Sequence, residues 1–279
     1  MIAAAFNQGD INHITGDIHF AALLLRKRKT ILTIHDIGST LNNKNILRKW
    51  ILRLLWYSLP MKRVKYITVI SEFTRNEIIK NFKVSPEKII IIPDCVSENF
   101  KPQNNTFDIS KPNILQVGTK ENKNTHRLFV ALKNIPCRLH LVGELTESQI
   151  NQLNEYKTEY KNYCNLSQSE IIELYQNSDL VSFVSTYEGF GVPILEAQSC
   201  GKPVITSNIS PMKEVAGNGA LLVDPENAEE IKTGILKIIH NSEYRNKLIQ
   251  NGFENVEKYS AQNTANQYYE LYDKIFREK

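Results

Sequence analysis

The chain has 279 residues, 34 Lys and Arg against 30 Asp and Glu, and 42% hydrophobic residues, which excludes a disordered or collagen-like chain and leaves ample apolar material for buried cores. Domains average roughly 100–150 residues, so this length fits two compact units. The net charge of +4 is unevenly spread: residues 1–100 carry 15 Lys and Arg against 8 Asp and Glu, leaving 19 against 22 for the rest.

No run approaches the roughly 18 uninterrupted apolar residues of a membrane span. The start, Met1-Ile-Ala-Ala-Ala-Phe-Asn, lacks the basic and apolar regions of a secretory signal, and the cytoplasm is the default expectation. Short β-branched runs alternate with helical patterns, the signature of βαβ units and parallel sheets. In the front part, strands are expected at residues 10–14, 30–35, 66–70 and 88–92. Between the second and third lies a helix candidate over residues 44–60, with Ile46, Leu47, Trp50, Ile51, Leu54 and Leu55 as its apolar stripe and Arg48, Lys49 and Arg53 on other faces. The stripe is wide enough to pack on a sheet, which favours a core helix with a solvated basic face. The same helix also suits peripheral contact with anionic lipid at the inner face of the cytoplasmic membrane. Nucleic acid is not expected as a partner, since the basic residues are not interleaved with stacking aromatics.

Residues 93–112 hold three prolines and no sustained periodicity, so a boundary falls there, with residues 101–112 read as a linker. The rhythm then resumes with strands at 113–117, 138–142, 180–184, 203–206 and 220–223. The chain closes in helices, with Tyr268, Leu271, Tyr272 and Ile275 at helical spacing. The division expected is 1–100, 113–260 and a terminal helix over 261–279 that packs back on the front domain. Cys95, Cys137, Cys164 and Cys200 are spaced by 42, 27 and 36 residues with no Cys-x-x-Cys pair and no adjacent His, so they read as buried reduced thiols and no metal site is expected.

The segment Ser185-Thr-Tyr-Glu-Gly-Phe-Gly-Val-Pro-Ile-Leu-Glu follows a strand and enters a helix. Gly189 and Gly191 sit where the backbone turns and presents amides at a helix N-terminus, a geometry suited to an anion. Glu188 precedes the turn and Glu196 lies one to two helical turns beyond it, close enough to reach the same ligand. An isolated Gly-x-Gly of this kind merely shapes a βα turn in many α/β folds. The whole string, however, resembles the Glu-x7-Glu signature of the retaining glycosyltransferases of family 4. Val117-Gly-Thr-Lys-Glu-Asn-Lys-Asn, Tyr175-Gln-Asn-Ser-Asp-Leu, Gly201-Lys-Pro-Val-Ile, Glu214-Val-Ala-Gly and Val223-Asp-Pro follow in family order, so residues 113–279 are covered almost continuously. Thr33-Ile-His-Asp-Ile-Gly, Ile70-Ser-Glu-Phe-Thr-Arg and Ile92-Pro-Asp-Cys-Val extend the resemblance to the front part.

The resemblance implies an α/β fold of GT-B type, two Rossmann-like parallel-sheet domains facing a cleft, the N-terminal one incomplete because the family's opening strands and glycine-rich loop have no counterpart before Asp10-Ile-Asn-His-Ile. It implies transfer of a hexosyl unit, weakly favouring mannosyl, from a nucleotide diphosphate sugar to a glycan or lipid-linked acceptor in surface polysaccharide synthesis. Glu188 and His35 are implied as the catalytic pair, facing the donor sugar. Gly118, Lys123, Gly189, Phe190, Gly191 and Glu196 are implied as donor-binding, Lys123 at the diphosphate and Glu196 at the ribose, and Arg75 is a further candidate for phosphate. No cofactor is implied beyond the nucleotide sugar, in keeping with a chain that has no Asp-x-Asp. One departure stands out: where family members carry an arginine near the lysine, this chain has Thr119 and Asn122, which leaves Lys120 or a groove residue to supply a second cation. The short front half supports another reading, a fragment that binds nucleotide sugar without turnover or depends on a chain supplying the missing unit.

Overall fold

The computed structural model describes residues 2–38 and 46–278; Lys44 and Asn45, the start of the expected front helix, lie outside them. The chain divides into two compact units, Met1–Asp94 with Gln262–Lys279, and Cys95–Ala261.

The first unit is built on a parallel sheet of four strands in chain order, β1 (Asn12–Ile14), β2 (Thr30–Ile34), β3 (Tyr66–Val69) and β4 (Ile89–Ile91). Every residue of β2 is buried, so both faces of this strand need cover, as parallel sheets require. Strand alternation sends Leu32 and Ile34 into one core with Ile67, Val69 and Met61. Ile31 points the other way, against Leu271 and Ile275 of the terminal helix Ala261–Arg277. That second face also carries a polar seam. His13 Nε2 lies 2.7 Å from Thr33 Oγ1, His13 Nδ1 lies 2.7 Å from Tyr272 OH, and Thr33 Oγ1 meets Thr68 Oγ1 at 2.7 Å. Between β3 and β4 the helix Glu72–Asn81 starts at Ser71, whose hydroxyl accepts from Thr74 N at 3.1 Å, an N-cap.

The stretch between β2 and β3 departs from the sequence reading. It runs as an α-helix over Ile46–Ile51, a π-helical stretch over Leu52–Ser58, where Leu59 N donates to Leu54 O, and a last α-turn over Leu59–Arg63. The core face is made by Tyr57, Pro60 and Met61, with Trp56 packed beside them. Leu47, Trp50, Ile51 and Leu55, expected to pack on the sheet, are exposed instead. Leu47, Trp50 and Ile51 precede the π stretch, and the residues that reach the core, Tyr57, Pro60 and Met61, lie in and after it, where the i→i+5 winding shifts the face that a 3.6-residue period assigns.

The second unit holds six parallel strands in the order β10-β9-β8-β5-β6-β7. They are β5 (Asn113–Val117), β6 (Arg138–Val142), β7 (Glu159–Tyr163), β8 (Leu180–Phe183), β9 (Val204–Ser207) and β10 (Ala220–Val223). Ile114, Leu139, Leu141, Leu180, Ile205 and Val223 share a core with the helices Thr125–Leu132 and Ala228–His240. Capping is explicit in the sequence: Thr146 and Ser167 each form a capping box with the glutamine or glutamate three residues on. β7 was not foreseen. As an edge strand it has no fully buried residue, Tyr160 and Tyr163 being half-buried, and Glu-Tyr-Lys-Asn-Tyr offers no apolar run to read.

Two further expectations change. Residues 101–112 are not a free linker but are fastened to the second unit. Gln176 Nε2 donates to Lys101 O at 3.0 Å, Asn105 Nδ2 to Gln176 O at 2.7 Å, and the Asp179 carboxylate accepts from Asp108 N at 3.2 Å and Asn113 N at 2.7 Å. Prolines break periodicity without breaking attachment, because side chains elsewhere satisfy the irregular backbone. Of the thiols, all free, Cys137 and Cys200 are buried and pushed up to about 11 and about 12 by burial, whereas Cys164 is exposed.

Burial holds the His13 imidazole down at about 4. The unfolded chain, with an ordinary histidine near 6.5, then binds the proton that the folded state refuses, so stability falls as pH drops from about 6.5 to about 4 and levels off below that. The urea midpoint of wild type is expected to decline across this window, and His13→Gln, which keeps a donor and an acceptor in the seam, is expected to decline less. Parallel curves for the two proteins would remove His13 from the account.

Candidate functional site

The order of the second sheet fixes where a ligand can be held. From β5 the chain moves to β6 and β7 on one side and then returns to the other side with β8, β9 and β10. The loops leaving β5 and β8 therefore diverge at their C-terminal ends, the topological switch point at which open α/β sheets bind ligands. The loop after β5 contains Gly118 and Lys123, and the loop after β8 contains Glu188 to Gly191.

Lys123 and Glu188 join these loops directly. Lys123 Nζ donates to Glu188 Oε1 at 2.7 Å, with the two side chains only 18% and 15% exposed. The lysine stem crosses Gly118, where an added Cβ would lie 2.9 Å from Lys123 Cε and 3.0 Å from its Cγ. At φ +89° Gly118 also occupies backbone space that L side chains rarely adopt. The ammonium lies 4.6 Å from the centroid of the Phe183 ring, a cation–π contact. Asn122, which stands where an arginine was expected, donates to Tyr187 O at 2.9 Å and Glu188 Oε1 at 3.3 Å. It stitches the loops together rather than adding charge. Asn124, buried in the left-handed conformation, donates to Val184 O at 3.0 Å and Pro225 O at 2.6 Å. Lys120, the other cation of this loop, is exposed.

Beyond Glu188 the chain turns through Gly191, at φ +126°, into the helix Val192–Ser199. Phe190 is buried, edge-on to Tyr259 with ring centroids 5.8 Å apart, so it anchors the loop. Glu196 lies largely buried on this helix and accepts from Tyr175 OH at 2.6 Å. Burial raises its pKa, and the Tyr175 hydrogen bond works against that rise. Tyr175 is fully buried, with Phe100 edge-on to its ring. Its hydroxyl occupies Glu196 Oε2 and fixes the carboxylate, a role that the sequence motif around Tyr175 did not disclose. A recess of about 680 Å³ adjoins Lys123, lined by Gly118, Thr119, Gly143 and Gln149 among others. Neither Glu188 nor Glu196 lines it.

In the first unit His35 follows β2 and is exposed, with Nε2 3.1 Å from Thr15 O and its own carbonyl accepting from Thr74 Oγ1 at 3.2 Å. Asp94, passed over in the sequence, sits near it: burial raises the Asp94 pKa and the His35 charge opposes that rise. Arg75 pairs with Glu72 at 2.9 Å on the surface.

Two parallel-sheet α/β units, one with a cation and two carboxylates at its switch point, have the GT-B architecture of glycosyltransferases. Residues 97–255 match the family model "Glycosyl transferases group 1", and residues 4–100 match "Glycosyltransferase Family 4". The chain belongs to the group 1 glycosyl transferases. It is 27% identical to O-antigen chain mannosyltransferase B of Escherichia coli over 267 residues, covering 87% of this chain and 69% of that protein. It is likewise 27% identical to O-antigen chain mannosyltransferase RfbU of Salmonella typhimurium, covering 86% and 70%. Among solved structures, Anabaena Alr3699/HepE in complex with UDP-glucose superposes with a TM-score of 0.83 at 19% identity, over 98% of this chain and 80% of that one.

Gly118→Ala is expected to lower the urea unfolding free energy by about 1–3 kcal/mol from the backbone alone, and more if Lys123 is displaced. Tyr175→Phe, which strips a partner from a mostly buried carboxylate, is expected to cost roughly 1.5–3 kcal/mol in the same measurement. Wild-type midpoints in either variant would contradict the packing described.

Proposed function

We propose that the chain transfers a hexosyl unit, mannosyl being the first candidate, from a nucleotide diphosphate sugar to a hydroxyl of a glycan or lipid-linked acceptor, with retention at the anomeric carbon, in surface polysaccharide synthesis. The Lys123–Glu188 contact carries this reading: a cation and a carboxylate held together at a switch point suit the two halves of such a donor, its diphosphate and its sugar. The mannosyltransferase relatives support the choice of sugar.

In this reading Lys123 gives up part of its contact with Glu188 to the diphosphate, and the amides at the start of the helix Val192–Ser199 face the same anion. As the bond from the anomeric carbon to the diphosphate oxygen breaks, charge builds on the leaving group and these fixed groups stabilise it. The acceptor oxygen bonds to the same face of that carbon, and its proton passes to a leaving phosphate oxygen. Glu188, released from Lys123, orients the sugar and offsets the positive charge on its ring. Two carboxylates flanking one anomeric carbon would suggest a covalent intermediate, but Glu196 is bound up with Tyr175 and assigned to the ribose. No covalent intermediate is assigned.

Calorimetry with GDP-mannose, UDP-glucose and ADP-glucose tests donor binding; no heat with any nucleotide sugar rejects this reading. Glu188→Gln keeps an acceptor for Asn122 and Lys123 and so keeps the fold. It is expected to reduce transfer by about 100-fold or more, the scale of losing one preorganised electrostatic group. Near-normal turnover would sink the role given to Glu188.

A further inference from the structure

Tyr175 fixes Glu196, but part of what fixes Tyr175 lies outside both of their helices. Tyr175 and Gln176 belong to the last turn of the helix Gln168–Asn177, and Glu196 to the helix Val192–Ser199. The 2.6 Å bond from the Tyr175 hydroxyl to Glu196 Oε2 therefore spans two helices, and it holds only while their spacing holds. Three consecutive residues of the segment that precedes β5 sit against the ends of both. Phe100 is buried, its ring edge-on to the Tyr175 ring with centroids 5.4 Å apart. Lys101 O accepts from Gln176 Nε2 at 3.0 Å, while the Lys101 backbone also bonds the Cys200 thiol, just past the end of the second helix. Pro102 Cβ lies 3.5 Å from where a Cβ on Gly201 would stand.

The first helix is tethered twice. Besides the Lys101 contact, Asn105 Nδ2 donates to Gln176 O at 2.7 Å, one of the carbonyls that a helix leaves unpaired at its C-terminus. Backbone bonds of this kind would be enough to tie down a linker. The buried ring set on Tyr175 does something further. A close-packed interior leaves no slack, so a missing Phe100 ring gives the Tyr175 ring room to tilt, and an O–H···O bond to a carboxylate tolerates little change of distance or angle.

We propose that Phe100 is a positioning residue for the donor's ribose: with Lys101 and Pro102 it wedges the two helix ends at the spacing that lets Tyr175 hold Glu196 Oε2, and so keeps Oε1 turned to the ribose hydroxyls. The proposal rests on the assignment of Glu196 to the ribose made above. Its effect is confined to that part of the donor, because Lys123 and Glu188, assigned to the diphosphate and the sugar, stand on other loops. A site built to bond hydroxyls rejects an analogue that lacks them, and it does so only while its acceptor is held in place. A carboxylate released from Tyr175 turns freely and loses that discrimination.

The test is calorimetry of the full chain with GDP, UDP and ADP, each against its 2′,3′-dideoxy form. Wild type is expected to bind the ribonucleotide about tenfold or more tighter than the dideoxy form, the scale of hydrogen bonds to a charged group. Phe100→Ala is expected to bring this ratio to about threefold or less, with affinity for the dideoxy form within about twofold of wild type. In steady-state transfer the same variant is expected to raise the donor KM and leave kcat unchanged, the mark of lost uniform binding. Gln176→Ala, which frees Lys101 O without opening the core, is expected to lower the ratio in the same direction by a smaller factor. A role in folding alone lowers the melting temperature and leaves the ratio untouched. A wild-type ratio in Phe100→Ala, or in Gln176→Ala should the first variant not fold, would overturn the proposal, as would an equal loss of affinity for both forms. If wild type binds no nucleotide the donor reading itself fails, and if it binds without discrimination the ribose assignment fails; in either case the proposal falls with it.

Discussion

A parallel strand buried on both sides needs cover on both sides, and this requirement organises the chain. In the first unit it explains why the last helix belongs with the first strands: Leu32 and Ile34 find partners within the preceding segment, but Ile31 is closed over by Leu271 and Ile275. The same closure brings Tyr272 onto His13 and completes a polar seam that local sequence alone cannot satisfy. In the second unit the strand order, reversing direction at β5, opens the loops after β5 and β8. The site is thus a consequence of how the sheet is wound before any side chain is placed in it.

Placed side chains then hold the opening in a defined state. Lys123, threaded over Gly118 and beneath the influence of the Phe183 ring, reaches Glu188, and Asn122 adds two bonds between the same loops. A charge pair with little solvent exposure gains only modestly from its own attraction, since both partners give up water. Such a pair can exchange one partner for a ligand charge without a large penalty, which suits residues assigned to the two ends of one donor. Glu196 is treated differently: its side-chain partner is a buried tyrosine rather than a cation, so it stays an acceptor held in one orientation.

Legibility varied with how local the physical signal was. Among the described residues, nine of the ten strands fall in segments that the sequence reading had as strands, and Ser71, Thr146 and Ser167 are residue types that cap helix starts. β7 escaped because an edge strand of alternating polar residues has no apolar run. The front helix was misread in its burial because its core contacts come from Tyr57, Pro60 and Met61, in and after a π-helical stretch that shifts the buried face away from the earlier apolar residues. Residues 101–112 looked detached because prolines interrupt periodicity, while the groups that secure them, Asp179 and Gln176, lie some 70 residues away in sequence.

The sequence by itself determined the alternation of elements, the glycines at the two site loops, the identity of Lys123, Glu188 and Glu196 as candidate groups, and the basic bias of the first hundred residues. These follow from local propensity, spacing and motif, which a linear chain displays. Only the tertiary structure decided that Lys123 meets Glu188, that Tyr175 fixes Glu196, that Asn122 is a stitch rather than a missing charge, and that Leu47 and Trp50 face outward. Each is a contact or an exposure set by residues distant in the chain, and the free energy of such contacts depends on burial and geometry that no local pattern encodes.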